Sequence, residues 1–444
     1  MKQSRRTFVK TSAAFLAAAP AIVRGQNLNS QLHIASIGTD GKGYSDITRM
    51  ADHDKVVHVA FCDVDLERTE KVRELRPKAP VFQDFRELFE QVGDEVDAVT
   101  VSTPDHMHAF IALEAMRRGK HVYCQKPLTH TVWEARQMAL QAKKSGVITR
   151  LGNQIHSHTH YRTAVDAIRA GKIGKVKRVH SWVQVTGHGH SGLISRPASP
   201  PLIPAHLDWD LWLGVAPERP YGGKRIYHPF GWRDWQDFGG GALGDFGCHI
   251  LDPVFTALNI NAAPVEIQTE HTGMNDEVWP AQSTVHYLIP GTEYTEKEML
   301  RITWYNGGLL PAVAGSHVPE TTALPKSGSL IIGEMGTMVL PHYDVPRLYP
   351  EENYPEGSIA IAIDQNHYHG FVDGCLTGRQ PSDDFAYGGL LTETVQLGNI
   401  ALRFEKKSLQ WDSQALKFTN EDAANRYVSR DYRRGWEISS VQPG

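Results

Sequence analysis

Leu32-His33-Ile34-Ala35-Ser36-Ile37-Gly38-Thr39-Asp40-Gly41-Lys42-Gly43 decides the fold. A short β-type run breaks into a glycine-rich turn, and a helical stretch begins near Tyr44. Strand, tight turn and helix aim free backbone N–H groups and the positive helix end at a pyrophosphate. Gly38 and Gly43 hold the first and third places of Gly-x-Gly-x-x-Gly. Asp40 holds the middle place, with Gly41 beside it, and its carboxylate repels a pyrophosphate unless the turn directs it away.

The alternation continues outward from this turn. A second strand, Val56 to Phe61, ends at Cys62-Asp63, where an acid can hydrogen-bond ribose hydroxyls and so favours NAD over its 2'-phosphorylated form. Helices are predicted at Leu66 to Leu75, Phe85 to Val92 and Val132 to Ser145, with a further one ending near Arg118. Strands are predicted at Ala98 to Val101, His121 to Cys124 and Val147 to Leu151. Strands alternating with helices imply a parallel sheet that binds ligands at its carboxyl edge. After Leu151 the pattern changes to β-type segments with few crossover helices: Val176 to Val185, Val265 to His271, Ser283 to Leu288, Met299 to Trp304 and Ser329 to Ile332. The expected fold is an α/β Rossmann domain (31–152) followed by an α+β domain with a large, mainly antiparallel sheet (153–444).

Composition narrows the function. Acids and bases are interspersed and the formal charge is −4, so no basic stripe is available to follow a nucleic-acid backbone. The N-terminus reads Ser4-Arg5-Arg6-Thr7-Phe8-Val9-Lys10, followed by a small apolar run to Val23 that is too short to span a bilayer. Residues 1–30 are therefore expected to be a twin-arginine export signal, with the twin-arginine machinery as partner and a periplasmic or otherwise exported location. Cys62, Cys124, Cys248 and Cys375 form no close pair and indicate no disulfide framework.

Asp245 and His249 lie four residues apart in Gly239-Gly240-Gly241-Ala242-Leu243-Gly244-Asp245-Phe246-Gly247-Cys248-His249. On a helix that spacing places carboxylate and imidazole on one face, so the acid can orient the ring or share its proton. A helix cap with a buried histidine would look the same. Lys126, before Pro127 at a strand's carboxyl end, is held extended and points into the cofactor cleft. Trp209, Trp212, Tyr221, Tyr227, Trp232 and Trp235, interspersed with His206, Arg225, His228, Arg233 and Asp237, offer either stacking faces and charged groups for a sugar or a buried aromatic core. The runs His156-Ser157-His158-Thr159-His160 and His188-Gly189-His190 could ligate a metal, but no cysteine or carboxylate stands at ligand spacing, and no metal is assigned.

The order of these landmarks resembles the Gfo/Idh/MocA family of oxidoreductases. It comprises the glycine turn, Asp63, Ser102-Thr103-Pro104-Asp105-His106, Gln125-Lys126-Pro127, Gly152-Asn153-Gln154 and the Gly239 to His249 run. The resemblance implies catalysis by Lys126, Asp245 and His249. It implies NAD bound by Gly38, Asp40, Gly41, Lys42, Gly43, Asp63, Ser102, Thr103, Pro104, His106, His108, Gln125, Lys126 and Gln154. Substrate contacts are expected at Lys126, His156, Arg162, Trp232, Arg233, Asp245 and His249. The implied substrate is a carbohydrate or polyol oxidised at a secondary hydroxyl, and the implied assembly is a homo-oligomer. Some members of the family cleave glycosides through a 3-keto sugar and return NAD to its starting state, which would suit a protein exported away from free NAD. Two positions depart from the family pattern: Asp40 replaces a glycine and Gln125 replaces a glutamate. They keep open a non-catalytic exported sugar-binding protein, and the histidine runs keep open a metal-dependent enzyme.

Overall fold

The computed structural model describes residues 31–185 and 195–442; the N-terminal segment expected to direct export and the His188, His190 pair lie outside them. Six strands form the first sheet: β1 (Leu32–Ile37), β2 (Val56–Cys62), β3 (Val81–Phe82), β4 (Ala98–Val101), β5 (His121–Gln125) and β6 (Thr149–Gly152). They pair in parallel in the order β3-β2-β1-β4-β5-β6. This is the doubly wound dinucleotide-binding order, with its crevice where β1 and β4 diverge.

Local chemistry explains several element ends. The Val132–Ser145 helix starts with a capping box, Thr131 with Glu134, and stops at Gly146 in the left-handed region. Asp84 caps the Phe85–Val92 helix by accepting from the Arg86 N–H. The predicted Leu66 to Leu75 helix is instead a 3-10 turn, Leu66–Thr69, leading into an α-helix, Glu70–Leu75.

The second sheet has nine strands: β7 (Val176–Val183), β8 (Glu266–His271), β9 (Ser283–Pro290), β10 (Met299–Asn306), β11 (Ser327–Gly333), β12 (Thr337–Pro341), β13 (Arg347–Tyr349), β14 (Leu409–Asp412) and β15 (Lys417–Phe418). Its order is β13-β12-β11-β7-β10-β9-β8-β14-β15; only β7 and β10 run parallel. β9 alternates buried and half-buried residues along its whole length, so one face of the sheet meets the core.

The chain returns to the first domain. Tyr368, Phe371 and Val372 of the His367–Thr377 helix pack with Leu32, Ile34, Ala98 and Tyr123, covering one face of the parallel sheet. A parallel sheet needs both faces covered, and here a segment far along the sequence supplies part of that cover. No helix among the described residues is long and apolar enough to cross a membrane. All four cysteines are free thiols.

Gly43 lies where the helix Lys42–Ala51 passes closest to the turn; a β-carbon there would come 2.1 Å from the Gly38 carbonyl oxygen. Gly43→Ala is expected to lower stability by roughly 1–3 kcal/mol, the range for overpacking a tight contact. A urea unfolding midpoint equal to wild type would contradict this close approach.

Candidate active site

A cavity of about 360 Å³ opens at the carboxyl edge of the first sheet, and its walls come from both domains. Gly38, Asp40, Gly41, Lys42, Asp63, Ser102, Thr103, Pro104, Gln125 and Gln154 line one part; Lys126, Trp232, Arg233, Asp245 and His249 line another. Gly38 has φ +85° and a β-carbon there would meet the Ser102 carbonyl oxygen at 2.5 Å, so the turn is open to close approach only because glycine stands there. Asp63 accepts from the Thr39 N–H (2.9 Å) and the Asp65 N–H (3.1 Å); burial raises its carboxyl above the ordinary range against those two bonds. Open turn, helix start and fixed acid together fit a dinucleotide.

The two departures at Asp40 and Gln125 have local explanations. Asp40 is turned onto Arg68 (3.1 Å) and Lys71 (2.8 Å). Its carboxyl lies below the ordinary range because those pairings overcome the opposing effect of burial. Gln125 donates from Nε2 to Asp46 Oδ2 at 2.8 Å, and the buried Asp46 also accepts from Ser102 Oγ (2.8 Å) and Tyr368 OH (2.9 Å) and pairs with Lys42. A glutamate at 125 would set a second carboxylate against Asp46, whereas the amide donates to it.

The catalytic candidates converge. Lys126, whose peptide bond to Pro127 is cis, forms an ion pair with Asp245 and also donates to the Asp245 carbonyl oxygen at 2.6 Å. Arg233 Nε lies 3.3 Å from the other Asp245 oxygen. Asp245 is thus engaged by two cations, and a different residue orients His249. Asn153 Nδ2 donates to the Cys248 carbonyl oxygen (3.2 Å), which turns Asn153 Oδ1 toward His249 Nδ1 at 2.5 Å. Nδ1 must therefore carry the proton, and Nε2 keeps a lone pair. Burial holds the ring well below its ordinary pKa, with Lys126 and His342 acting in the same direction, so it is neutral and able to accept a proton.

Asp105 is a site residue that local sequence pattern does not single out. It lines the same cavity, and burial raises its carboxyl to about 8 against the lowering influence of Lys126 and Arg233. It is a neutral acid at pH 7, able to donate.

Five expected contacts stand elsewhere. His106 and His108 are buried behind the cleft, His106 against the Trp212 carbonyl oxygen (3.0 Å) and His108 between those of Thr103 and Pro127 (2.8 Å each). They brace the cofactor loop instead of lining the cavity. His156 and Arg162 line a separate cavity of about 370 Å³. His156 is held there by Asp252 (2.9 Å) and Ser382 (2.9 Å). Gly43 lies beneath the glycine turn, outside the cavity lining.

The aromatic excursion is chiefly core. Trp209, Trp212, Tyr221, Tyr227, Trp235 and Phe238 pack together, with Trp209 and Trp212 stacked at 4.6 Å. Trp212 and Trp232 also reach the cavity wall. The excursion docks on the first domain through Asp65, which accepts from His206 (2.6 Å) and His228 (2.8 Å). The His158 and His160 rings meet edge to face.

Although burial opposes its charge, Asp252 and Asp383 raise His156 to about 9. A raised folded-state pKa stabilises the protein fully below the unfolded value near 6.5, and that stabilisation is lost as pH rises through about 9. The stability gap between wild type and His156→Gln is expected to narrow over this window by on the order of 3 kcal/mol. A gap that stays constant with pH in denaturant titrations would show that His156 is not charged.

Comparison with known proteins agrees with this geometry. Residues 32–153 match the model of an oxidoreductase family, NAD-binding Rossmann fold, and residues 186–288 match that family's C-terminal alpha/beta domain; together these cover just over half of the chain. A 1,5-anhydro-D-fructose reductase of Ensifer adhaerens is 39% identical over 111 residues, 24% of this chain and 33% of that protein. An alpha-N-acetylgalactosaminidase of Shewanella oneidensis is 26% identical over 241 residues, 52% of this chain and 45% of that protein. The chain thus matches a third to just under half the length of these curated relatives. The WlbA dehydrogenase of Bordetella pertussis, solved with NADH and UDP-GlcNAcA, shares the fold with a TM-score of 0.60 at 16% identity, over 86% of this chain and 99% of that one. The N-terminal domain is an NAD-binding Rossmann domain, and the chain belongs to the Gfo/Idh/MocA oxidoreductase family.

Proposed function

We propose that the protein is an NAD-dependent oxidoreductase acting on a secondary hydroxyl of a sugar, glycoside or polyol. One observation carries this reading: a neutral His249 with Nε2 free of its proton shares a cavity with the Lys126–Asp245 ion pair and the glycine turn. Bound NAD would supply hydride transfer, held by the turn at Gly38 and Gly41 and by Asp63. His249 Nε2 takes the hydroxyl proton, and the Lys126 ammonium steadies the oxygen as that proton leaves. Asp245 positions Lys126, and Asn153 fixes the tautomer of His249. Trp232, with the Arg233 guanidinium 4.2 Å above its ring, forms the wall against which a sugar face would stack.

A second reading, redox-neutral glycoside cleavage, is favoured by Asp105, because a protonated carboxyl in this cavity can serve a leaving group. We further propose that the segment before residue 31 exports the protein folded, with NAD aboard, and that it works as a homo-oligomer.

The deciding experiment is to purify the protein without added cofactor, denature it, assay the supernatant for NAD, and feed the native protein p-nitrophenyl glycosides and free polyols. NAD with nitrophenol release supports glycoside cleavage. Nicotinamide reduction without release supports a dehydrogenase. No NAD after soaking and no turnover would move the protein to the non-catalytic class. His249→Ala is expected to abolish turnover while keeping bound NAD, and Asn153→Leu to lower kcat at least about a hundredfold with KM nearly unchanged. Full activity in His249→Ala would remove the imidazole from the mechanism.

A further inference from the structure

A third cavity, of about 440 Å³, lies between the C-terminal segment and the residues that lead into the Asp245/His249 helix. Arg403, Arg426 and Arg430 line it together with His130, Gln236, Asp237, Asp276 and Asn399, none of which lines the catalytic cavity. Arg403 is laid between rings, 5.0 Å from the Trp279 centroid and 4.3 Å from that of Tyr427, and Arg426 sits 4.5 Å from the Tyr427 centroid. The three guanidinium groups thus share one cavity, and among the described residues no carboxylate pairs with any of them.

Two acids also line this cavity: Asp237, which pairs with Arg219, and Asp276, which acts on Arg403 through space. Glu134 accepts from Tyr432 (2.9 Å) and acts on Arg430 through space. Burial and the neighbouring Arg426 hold Arg403 below its ordinary range, and burial does the same to Arg430. His130 is kept neutral by burial and by Arg430. Two buried polar atoms are left without partners here: Arg430 Nε, a donor, and Oδ1 of Asn399, an acceptor on a residue only 3% exposed. Unpaired guanidinium groups call for an oxyanion, and an unpaired amide oxygen calls for a hydroxyl beside it. A fully deprotonated, hydroxyl-free anion would satisfy the first and leave the second.

We propose that this cavity binds a small hydroxyl-bearing phosphate, either hydrogen phosphate itself or a sugar monophosphate, at a site separate from the catalytic cleft. Its occupant would bridge Arg426 and Arg430 of the C-terminal segment to Gln236, which accepts from Arg403, and to Asp237, whose carbonyl oxygen accepts from Arg430 at 3.1 Å. Both residues lead directly into the Gly239-Gly240-Gly241 turn that opens the Asp245/His249 helix, so binding there is placed to act on the catalytic face.

The test is isothermal titration of the full-length, NAD-saturated protein with inorganic phosphate, sulfate and glucose 6-phosphate at constant ionic strength. Cofactor saturation keeps the probes from the glycine turn. We expect saturable binding of one phosphate per chain, weakened about tenfold or more in Arg426→Gln and Arg430→Gln and unchanged in Lys126→Met. Arg426 is exposed, so its variant tests the site even if Arg430→Gln fails to fold. Tighter binding of glucose 6-phosphate than of phosphate assigns the occupant to the ester. Sulfate binding as tightly as phosphate would overturn the hydroxyl-bearing assignment, and absence of saturable binding, or equal binding in both arginine variants, would overturn the site.

Discussion

Asp46 holds the catalytic half of the molecule together. Its carboxylate is fully buried and receives Lys42 from its own helix, Ser102 from the loop after β4, Gln125 from the end of β5 and Tyr368 from the helix that returns late in the chain. A buried carboxylate without partners is strongly unfavourable, whereas one with four donors fixes the geometry of everything attached to it. Here the attachments are the start of the helix after the glycine turn, the loop after β4, the residue next to Lys126 and the late-returning helix. The crevice is therefore built around one charge, and Gln125 is the side chain that this charge requires.

A similar division of labour runs through the active site. Two groups that could have shared a proton, Asp245 and His249, are each given another principal partner: Lys126 for the acid and Asn153 for the imidazole. Separating them sets the Lys126–Asp245 ion pair beside a neutral histidine, which is the combination that the proposed removal of a hydroxyl proton needs. Asp105, beneath the same cavity, is left protonated by its burial, so the site contains an acid, a base and a fixed cation in different protonation states.

The excursion from residue 195 to residue 241 is what joins these groups. Its tryptophans and tyrosines make a small core of their own, and its His206 and His228 anchor to Asp65, two residues beyond Asp63. Aromatic side chains that could have bound sugar are used mainly to hold the strap rigid. The strap in turn supplies Trp232 and Arg233 to the cavity wall.

Where local interactions decide an element, the sequence determined it by itself. β1, β4 and the helices Phe85–Val92 and Val132–Ser145 lie where periodicity and capping residues place them, and the glycine turn with Asp63 marks the dinucleotide crevice. Lys126, Asp245 and His249 were legible as candidates, because spacing on one helix and the end of a strand are local facts, and the structure brings the three to one cavity. The helix Phe385–Leu402 was not legible: it is buried on nearly every side, so it has no polar face to give a helical period. The sheet order, the cover that Tyr368 and Phe371 give to the first domain, the removal of His156 to Asp252, the bracing roles of His106 and His108, and the choice of Asn153 over Asp245 as the partner of His249 were decided only by tertiary structure. Each depends on which distant side chain arrives within hydrogen-bonding distance, and a buried polar group takes its role from that partner rather than from its neighbours in sequence.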